Sequence, residues 1–349
     1  MSLRSLLDLA AVTETGAIVL GSRVAVDGHA PGYGVRVVTH IHQDHILGLR
    51  RSIREASLIA ATPLTLDLLE AAGYRIPPSK RLSLPYRVQV SVEGDVLSLR
   101  RANHVPGAAE VLVELENGVR VGYTGDFKLP GTEVLSDLDV LVIDATYGLE
   151  DWVRPWQEEI DLLLADVVRE GLSHGPVYLY GYYGKIEEIM LLLRNQGVDA
   201  PFLVNQRVGR SVEVLERHGY RVGDVVVEGT REAVEVKRSG WYIGFRHYSS
   251  WRRRRSLPGE NGARPVHVLL TGWEFREPFR RLGPRELVVS FSDHADFRQL
   301  VSYVEEARPR LLVADSYRGG RAAAYFASYV SKRLGIPAVA LPGGGVDGV

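Results

Sequence analysis

Short β-branched runs separated by Gly and Asp turns dominate the first 150 residues, and apolar runs bounded in this way are the pattern of strands. They predict strands over 17–20, 23–26, 35–39, 87–92, 96–99, 110–116, 119–123 and 140–144. One helix interrupts them, opening on Thr62 and Pro63 as N-cap and first-turn proline and running to Gly73. From Arg154 the texture changes. Helices from Pro155 through Val168, over 185–194 and over 211–218 alternate with strands over 177–180 and 202–204, which predicts an α/β unit with a parallel sheet. After a Gly- and Arg-rich stretch, strands over 267–270, 286–289, 311–314 and 338–341 flank helices over 296–306 and 321–334. The shifts in texture near Glu150 and near Gly283-Pro284 bracket a middle segment. They predict one domain made of 1–150 and 286–349, interrupted by a second over 151–285.

Composition narrows the chemistry more than the fold. With 45% hydrophobic and 24% charged residues, the 349-residue chain is of ordinary globular type, which excludes collagen-like, disordered and coiled-coil classes. It contains no Cys, so disulfides, Cys-containing zinc sites, iron–sulfur clusters and Cys nucleophiles are excluded, and any metal must sit on His, Asp or Glu. The apolar patches at the N-terminus are broken by Arg4, Asp8 and Glu14 and lack the layout of a secretory signal, so no membrane association and a cytoplasmic location are expected. The Gly-rich run 343–348 is expected to be a mobile end.

Six residues then stand out. Thr39-His40-Ile41-His42-Gln43-Asp44-His45 follows a predicted strand, and only a loop can turn four potential ligands toward one point, because a strand sends neighbours to opposite faces. His40 and His42 suit one ion and Asp44 and His45 a second, with zinc the first expectation and manganese an alternative. Two such ions would lie about 4 Å apart, the spacing of hydrolases that clamp an in-line displacement. His104 and Asp126 each follow a strand, so His104 can complete the first ion and Asp126 can bridge the pair.

With these motifs the sequence resembles the metallo-β-lactamase fold over nearly its whole length, which implies an αββα sandwich. HIHQDH is similar to that family's HxHxDH signature, NHVPGAAEV to its third-motif histidine and YTGDF to its bridging aspartate. Asp27 in VAVDG resembles the first-motif aspartate that supports the metal ligands by hydrogen bonding. Within the fold, LVIDATYG with Asp144 and VSFSDHAD with His294 resemble the first two motifs of the β-CASP nucleases, and the middle segment has the size of the inserted β-CASP domain. The resemblance implies a nuclease in which His294, oriented by Asp144, donates the proton to the leaving oxygen and Asp44 belongs to the catalytic metal site. The RNA-processing branch has a further His about 22 residues on, where this chain has Asp315 and Ser316. That leaves His294 or Asp315 as an alternative ligand of the second ion.

Charge becomes informative once a nuclease is in view. The net charge is −1, yet Arg231 to Arg285 carries 13 Lys and Arg against 5 Glu. Trp251 abuts Arg252, Arg253, Arg254 and Arg255, a combination suited to phosphates and unpaired bases, and Lys185 at the start of a predicted helix is a further candidate phosphate contact. Thr271-Gly272-Trp273 resembles the TGW of the DNA-repair branch, which implies an exonuclease on single-stranded DNA ends. An RNA-processing ribonuclease and an inactive nucleic-acid-binding subunit of a processing complex are the alternatives.

Overall fold

The computed structural model describes residues 2–256 and 264–343, without the side chains of Arg255 and Ser256. Most of the C-terminal Gly-rich run, from 344 on, therefore lies outside the described residues. The chain divides into two compact units, residues 1–153 with 293–349, and residues 154–292.

The first unit is a mixed α/β fold built on two sheets. A six-stranded sheet runs in chain order through Ala10–Val12, Ile18–Leu20, Val24–Val26, Val35–Val37, Leu58–Ala61 and Arg81–Ser83. The seven-stranded sheet has the order Ala338–Leu341, Leu311–Asp315, Val140–Ile143, Arg120–Tyr123, Ala109–Glu114, Asp95–Arg101, Gln89–Val92. Alternating apolar positions of both sheets, among them Ile18, Val24, Val26 and Val37 with Leu97, Val111, Val121 and Val142, form one core. A second core lies between the seven-stranded sheet, through Leu112, Leu141, Ile143 and Leu312, and helices that contribute Leu300, Tyr303, Val304 and Phe326. Leu49, Leu66 and Leu69 from helices Leu49–Glu55 and Pro63–Ala71 pack on Val38, Ile59 and Ala61 of the other sheet. Each sheet thus has one face toward its partner and one under helices, which explains why its strands read as near-continuous apolar runs.

The second unit holds a seven-stranded sheet ordered Val225–Val227, Phe202–Val204, Ile243–His247, Val177–Gly181, Val266–Thr271, Glu286–Ser290, Phe279–Gly283. Every pair is parallel except the last. Strand Glu286–Ser290 was expected in the interrupted domain. It pairs instead in parallel with Val266–Thr271, from His267 opposite Glu286 to Thr271 opposite Ser290, and this ladder carries the unit boundary to Ser292.

Other differences have local causes. The helix expected from Pro155 begins at Ile160, because Gln157 N–H bonds Arg154 O and Glu159 N–H bonds Trp156 O in three-residue turns. The helix expected from Arg321 begins at Ser316, where the Asp315 carboxylate caps it, and Gly320 (φ 52°, ψ −132°) breaks its periodicity just before Arg321. Strands Ala10–Val12, Leu58–Ala61, Arg81–Ser83 and Val225–Val227 are too short for alternation to be recognised in the sequence.

One buried carboxyl gives a stability test. Tyr303 Oη donates to Glu110 Oε1 at 2.6 Å, and burial pushes the Glu110 pKa well above its ordinary 4.5. The unfolded chain releases this proton where the folded chain keeps it, so stability falls as pH rises past 4.5. Glu110→Gln removes that slope. Its melting temperature should gain on the wild type between about pH 4 and about pH 8, and a pH-independent difference would contradict the assignment.

Candidate metal centre

The ends of the two sheets of the first unit meet at residue 39. Val38 N–H bonds Ala60 O within one sheet, and Thr39 O accepts from Ala109 N–H of the other at 3.1 Å. Beyond this point the chain leaves the ladder and curls through His40 to His45, closed by His45 N–H on His42 O. His104 sits in the turn between strands Asp95–Arg101 and Ala109–Glu114, and Asp126 follows strand Arg120–Tyr123. Gly125 makes that turn at φ +58°, where a Cβ would stand 3.1 Å from Ala109 O and 3.2 Å from Thr39 Cγ2. Asp144 follows strand Val140–Ile143, and His294 lies just before helix Phe297–Ala307.

His40, His42, His104 and Asp126 each bring one ligand atom into a set no more than 4.8 Å across. His104 Nε2 lies 3.2 Å from His40 Nε2 and 3.1 Å from His42 Nδ1. The outer nitrogens fix the tautomers, since His40 Nδ1 donates to Thr39 Oγ1 at 2.9 Å and His104 Nδ1 to Asp293 O at 2.7 Å. The inward Nε2 atoms of His40 and His104 then both present lone pairs, an arrangement that repels unless a cation lies between them. Tetrahedral zinc with Zn–N of about 2.0–2.1 Å sets neighbouring nitrogens about 3.4 Å apart, close to the spacing seen.

Asp126 joins the halves of the cluster. Its Oδ2 is 3.4 Å from His40 Nε2, 3.6 Å from His104 Nε2, 3.1 Å from His45 Nε2 and 3.6 Å from His294 Nε2. Asp44 Oδ2 lies 3.4 Å from His45 Nε2 and its side chain is 56% exposed. His45 Nε2 and Asp126 Oδ1 are buried without a hydrogen-bond partner. These donor types and orphaned atoms fit a divalent ion, and the cluster is capable of coordinating metal.

The electrostatics agree with that chemistry. Burial, reinforced by neighbouring imidazoles, holds His40 well below its ordinary pKa, and burial lowers His104 to about 3, so both imidazoles are neutral at physiological pH, the form that can coordinate a metal. Burial opposes the charge on Asp126 as well, but His45 and His294 outweigh it and keep the carboxylate ionised. For His294 burial disfavours the cation, yet the Asp126 and Asp144 carboxylates raise its pKa to about 10. Its Nδ1 donates to Asp144 Oδ2 at 2.9 Å, while Asp144 Oδ1 accepts from Thr146 N–H and Oγ1–H.

Asp27 supports the loop from behind. It is fully buried at φ 52°, a left-handed conformation that Asp tolerates, and accepts from Thr39 N–H (2.8 Å), Thr39 Oγ1–H (2.6 Å) and His45 Nδ1–H (2.7 Å). Thr39 relays this support to His40, a role that sequence reading missed although Thr39 adjoins the motif. Asp27→Ala should weaken zinc binding about 10- to 100-fold, read by chelator competition on folded protein. Unaltered affinity would remove Asp27 from the site.

The remaining candidates separate. Asp315 is not brought to the metal cluster among the described residues. Its Oδ1 caps helix Ser316–Tyr329 and its Oδ2 takes Arg318 Nη1 at 2.7 Å, so the carboxylate is already used. Lys185, read more readily from sequence as a surface residue, is buried with Nζ 3.5 Å from Phe291 O. Arg254 pairs with Glu286 at 2.7 Å and lies 4.0 Å above the Trp251 ring, which itself packs edge-on to Tyr180. Trp251 and Arg254 are therefore engaged with other residues of the second unit, each partly buried. Arg252 and Arg253 are exposed, Trp273 is 62% exposed, and the Arg255 side chain lies outside the described residues. Unforeseen in the sequence, Tyr182 and Tyr248 stack at 4.9 Å, Tyr183 stacks on His247 at 4.8 Å, and Arg207 lies 3.9 Å over Tyr183.

No family model matches the chain. An uncharacterised protein of Acidianus ambivalens is 41% identical over 140 residues, 40% of this chain and 99% of that protein. A probable RNase of Methanocaldococcus jannaschii is 30% identical over 161 residues, 43% of this chain and 35% of the relative. A transcription termination factor of Pyrococcus abyssi is 23% identical over 78% of this chain and 55% of the relative. A DNA cross-link repair protein of Mus musculus matches at 27% over 43% of this chain and 15% of that protein. The chain thus spans between a seventh and about half of the RNase, termination-factor and repair-protein relatives. A crystal structure of an Enterococcus faecalis protein of unknown function shares the fold, with TM-score 0.52 and 12% identity over 82% of this chain and 76% of that one. Among the described residues, no helix is long and apolar enough to cross a membrane.

Proposed function

We propose that this chain, a member of the β-CASP/metallo-β-lactamase-like nuclease superfamily, is a metal-dependent phosphodiesterase that cuts single-stranded RNA. The observation that carries the reading is the convergence of His40 Nε2, His42 Nδ1 and His104 Nε2 beside the Asp126 carboxylate. In this reading His40, His42 and His104 would hold one zinc ion and Asp44 and His45 a second, with Asp126 available to both and manganese able to replace zinc. Bound there, divalent ions lower the pKa of water toward neutrality and neutralise charge on the phosphoryl oxygens. Asp27 keeps His45, and through Thr39 also His40, turned inward. His294, its Nδ1 tied to Asp144, carries on Nε2 the proton that the leaving oxygen needs.

RNA is favoured over DNA by the relatives, which include a probable RNase, a further RNase and several transcription termination factors. Exposed Trp273 in the TGW sequence and the cross-link repair match support single-stranded DNA ends as a second reading. The second unit offers Tyr182 and Tyr248, 50% and 37% exposed, for unpaired bases and Arg252 and Arg253 for phosphates. Replacing both arginines by Gln should weaken RNA binding and flatten its salt dependence by about one unit of slope for each phosphate that is no longer neutralised. An unchanged slope would leave that run merely solvated.

The test is a digest of end-labelled single- and double-stranded RNA and DNA by zinc- or manganese-loaded wild type and Asp44→Ala. Single-stranded RNA should be cut by the wild type alone and faster than DNA. Faster cleavage of DNA would establish the second reading. Absence of any cleavage would overturn the enzymatic one in favour of a binding subunit.

A further inference from the structure

The two halves of the candidate metal site are unequally furnished. One half has three imidazoles besides Asp126, whereas the His40–His45 loop gives the other Asp44 and His45, and His294, the further imidazole near Asp126, has its Nδ1 tied to Asp144. Beside Asp44 lies the guanidinium of Arg318, with a side chain only 5% exposed and Nε 3.9 Å from Asp44 Oδ2. Its Nη2 lies within 3.1–3.2 Å of the carbonyls of Gly16, Asp27 and Asp44, and its Nη1 donates to Asp315 Oδ2 at 2.7 Å. Only Nε, the atom nearest the Asp44 carboxylate, is buried without a hydrogen-bond partner.

This placement has an electrostatic consequence. A guanidinium stays charged in proteins, and this one is held on both Nη atoms and cannot swing away from the site. It therefore contends with a cation for the same Asp44 oxygen and repels that cation, while its backbone bonds fix the loop that carries Asp44. Asp315 offsets part of the charge, but that carboxylate faces Nη1 rather than Nε.

We propose that Arg318 stands in place of a protein ligand at the Asp44–His45 half, so that this half binds its cation weakly while the His40–His42–His104 half binds tightly. Arg318 is on this account a positioning residue: it fixes Asp44 and sets the difference in affinity between the two ions. The inference rests on the metal-site reading above but is tested apart from activity.

The experiment is zinc titration against a chromophoric chelator, with zinc per chain measured by mass spectrometry after dialysis. It compares wild type, Arg318→Lys, Arg318→Gln and the double variant Asp315→Asn with Arg318→Gln. The double variant removes the buried pair together and keeps an oxygen to cap helix Ser316–Tyr329, so it guards against a single variant that fails to fold. Wild type should keep one zinc and lose the second, with affinities at least about tenfold apart. Arg318→Lys should retain the gap, and Arg318→Gln or the double variant should narrow it about tenfold. Two wild-type ions of like affinity, or an unchanged gap in a folded variant without the charge, would overturn the role of Arg318 and leave the metal site standing. A wild type that binds no zinc would overturn the metal site itself.

Discussion

Asp126→Ala should abolish hydrolysis, with a loss of at least about 10³-fold in kcat/KM, equivalent to about 4 kcal/mol of transition-state stabilisation. The expectation follows from position. One oxygen, Oδ2, lies within 3.6 Å of His40, His45, His104 and His294. Removing it takes from both halves the anion they share, whereas removal of Asp44 reaches one half only. The substitution falls after strand Arg120–Tyr123 and leaves its pairing to Ala109–Glu114 and Val140–Ile143 in place, so the circular dichroism spectrum should be kept. Zinc content should fall below that of Asp44→Ala. A folded Asp126→Ala protein that retains its zinc and most of its rate would show that Asp126 does not join the two halves.

His294→Ala should cost about 10²–10⁴-fold in kcat, the range for loss of a positioned general acid. The informative readout is the zinc content measured alongside. His294 Nε2 is 3.6 Å from Asp126 Oδ2, near enough to suggest a ligand, but its Nδ1 is committed to Asp144, and against the opposing effect of burial the Asp126 and Asp144 carboxylates raise its pKa to about 10. A proton donor can be removed without disturbing the metals, whereas a ligand cannot. Slow turnover with normal zinc assigns the donor role, and slow turnover with one zinc missing assigns the ligand role. Asp144→Asn keeps the size of the side chain but not its charge, and should show a smaller loss of about 10- to 100-fold by releasing the ring orientation.

The legibility of this site in the sequence tracked sequence distance. His40, His42, Asp44 and His45 fall within six residues, so their grouping is a property of the chain before it folds. The elements that carry the other candidates were recognisable where they were long and apolar, as with Val140–Ile143 and Leu311–Asp315. They were missed where three residues formed a strand only because a neighbour was present, as with Val225–Val227. The partners of the basic run were hidden for the same reason. Charge and aromatic content are visible in Trp251 to Arg254, but not the Glu286 carboxylate 32 residues on that neutralises Arg254, nor the Tyr180 ring that covers Trp251.

By itself the sequence determined the ligand chemistry, because a chain without Cys that places three His and an Asp on one loop can build only a His and carboxylate site. It also determined the alternation that separates the two units, since hydrophobic periodicity is local. Only the tertiary structure decided which nitrogen of each His faces inward, which carboxylate holds His294, and that Arg318 rather than Asp315 lies beside Asp44. Those outcomes depend on partners 150 residues away for Asp144 and His294 and 274 for Arg318 and Asp44. Such partners meet only when packed sheets bring strand ends together, and burial then makes each hydrogen bond and charge obligatory.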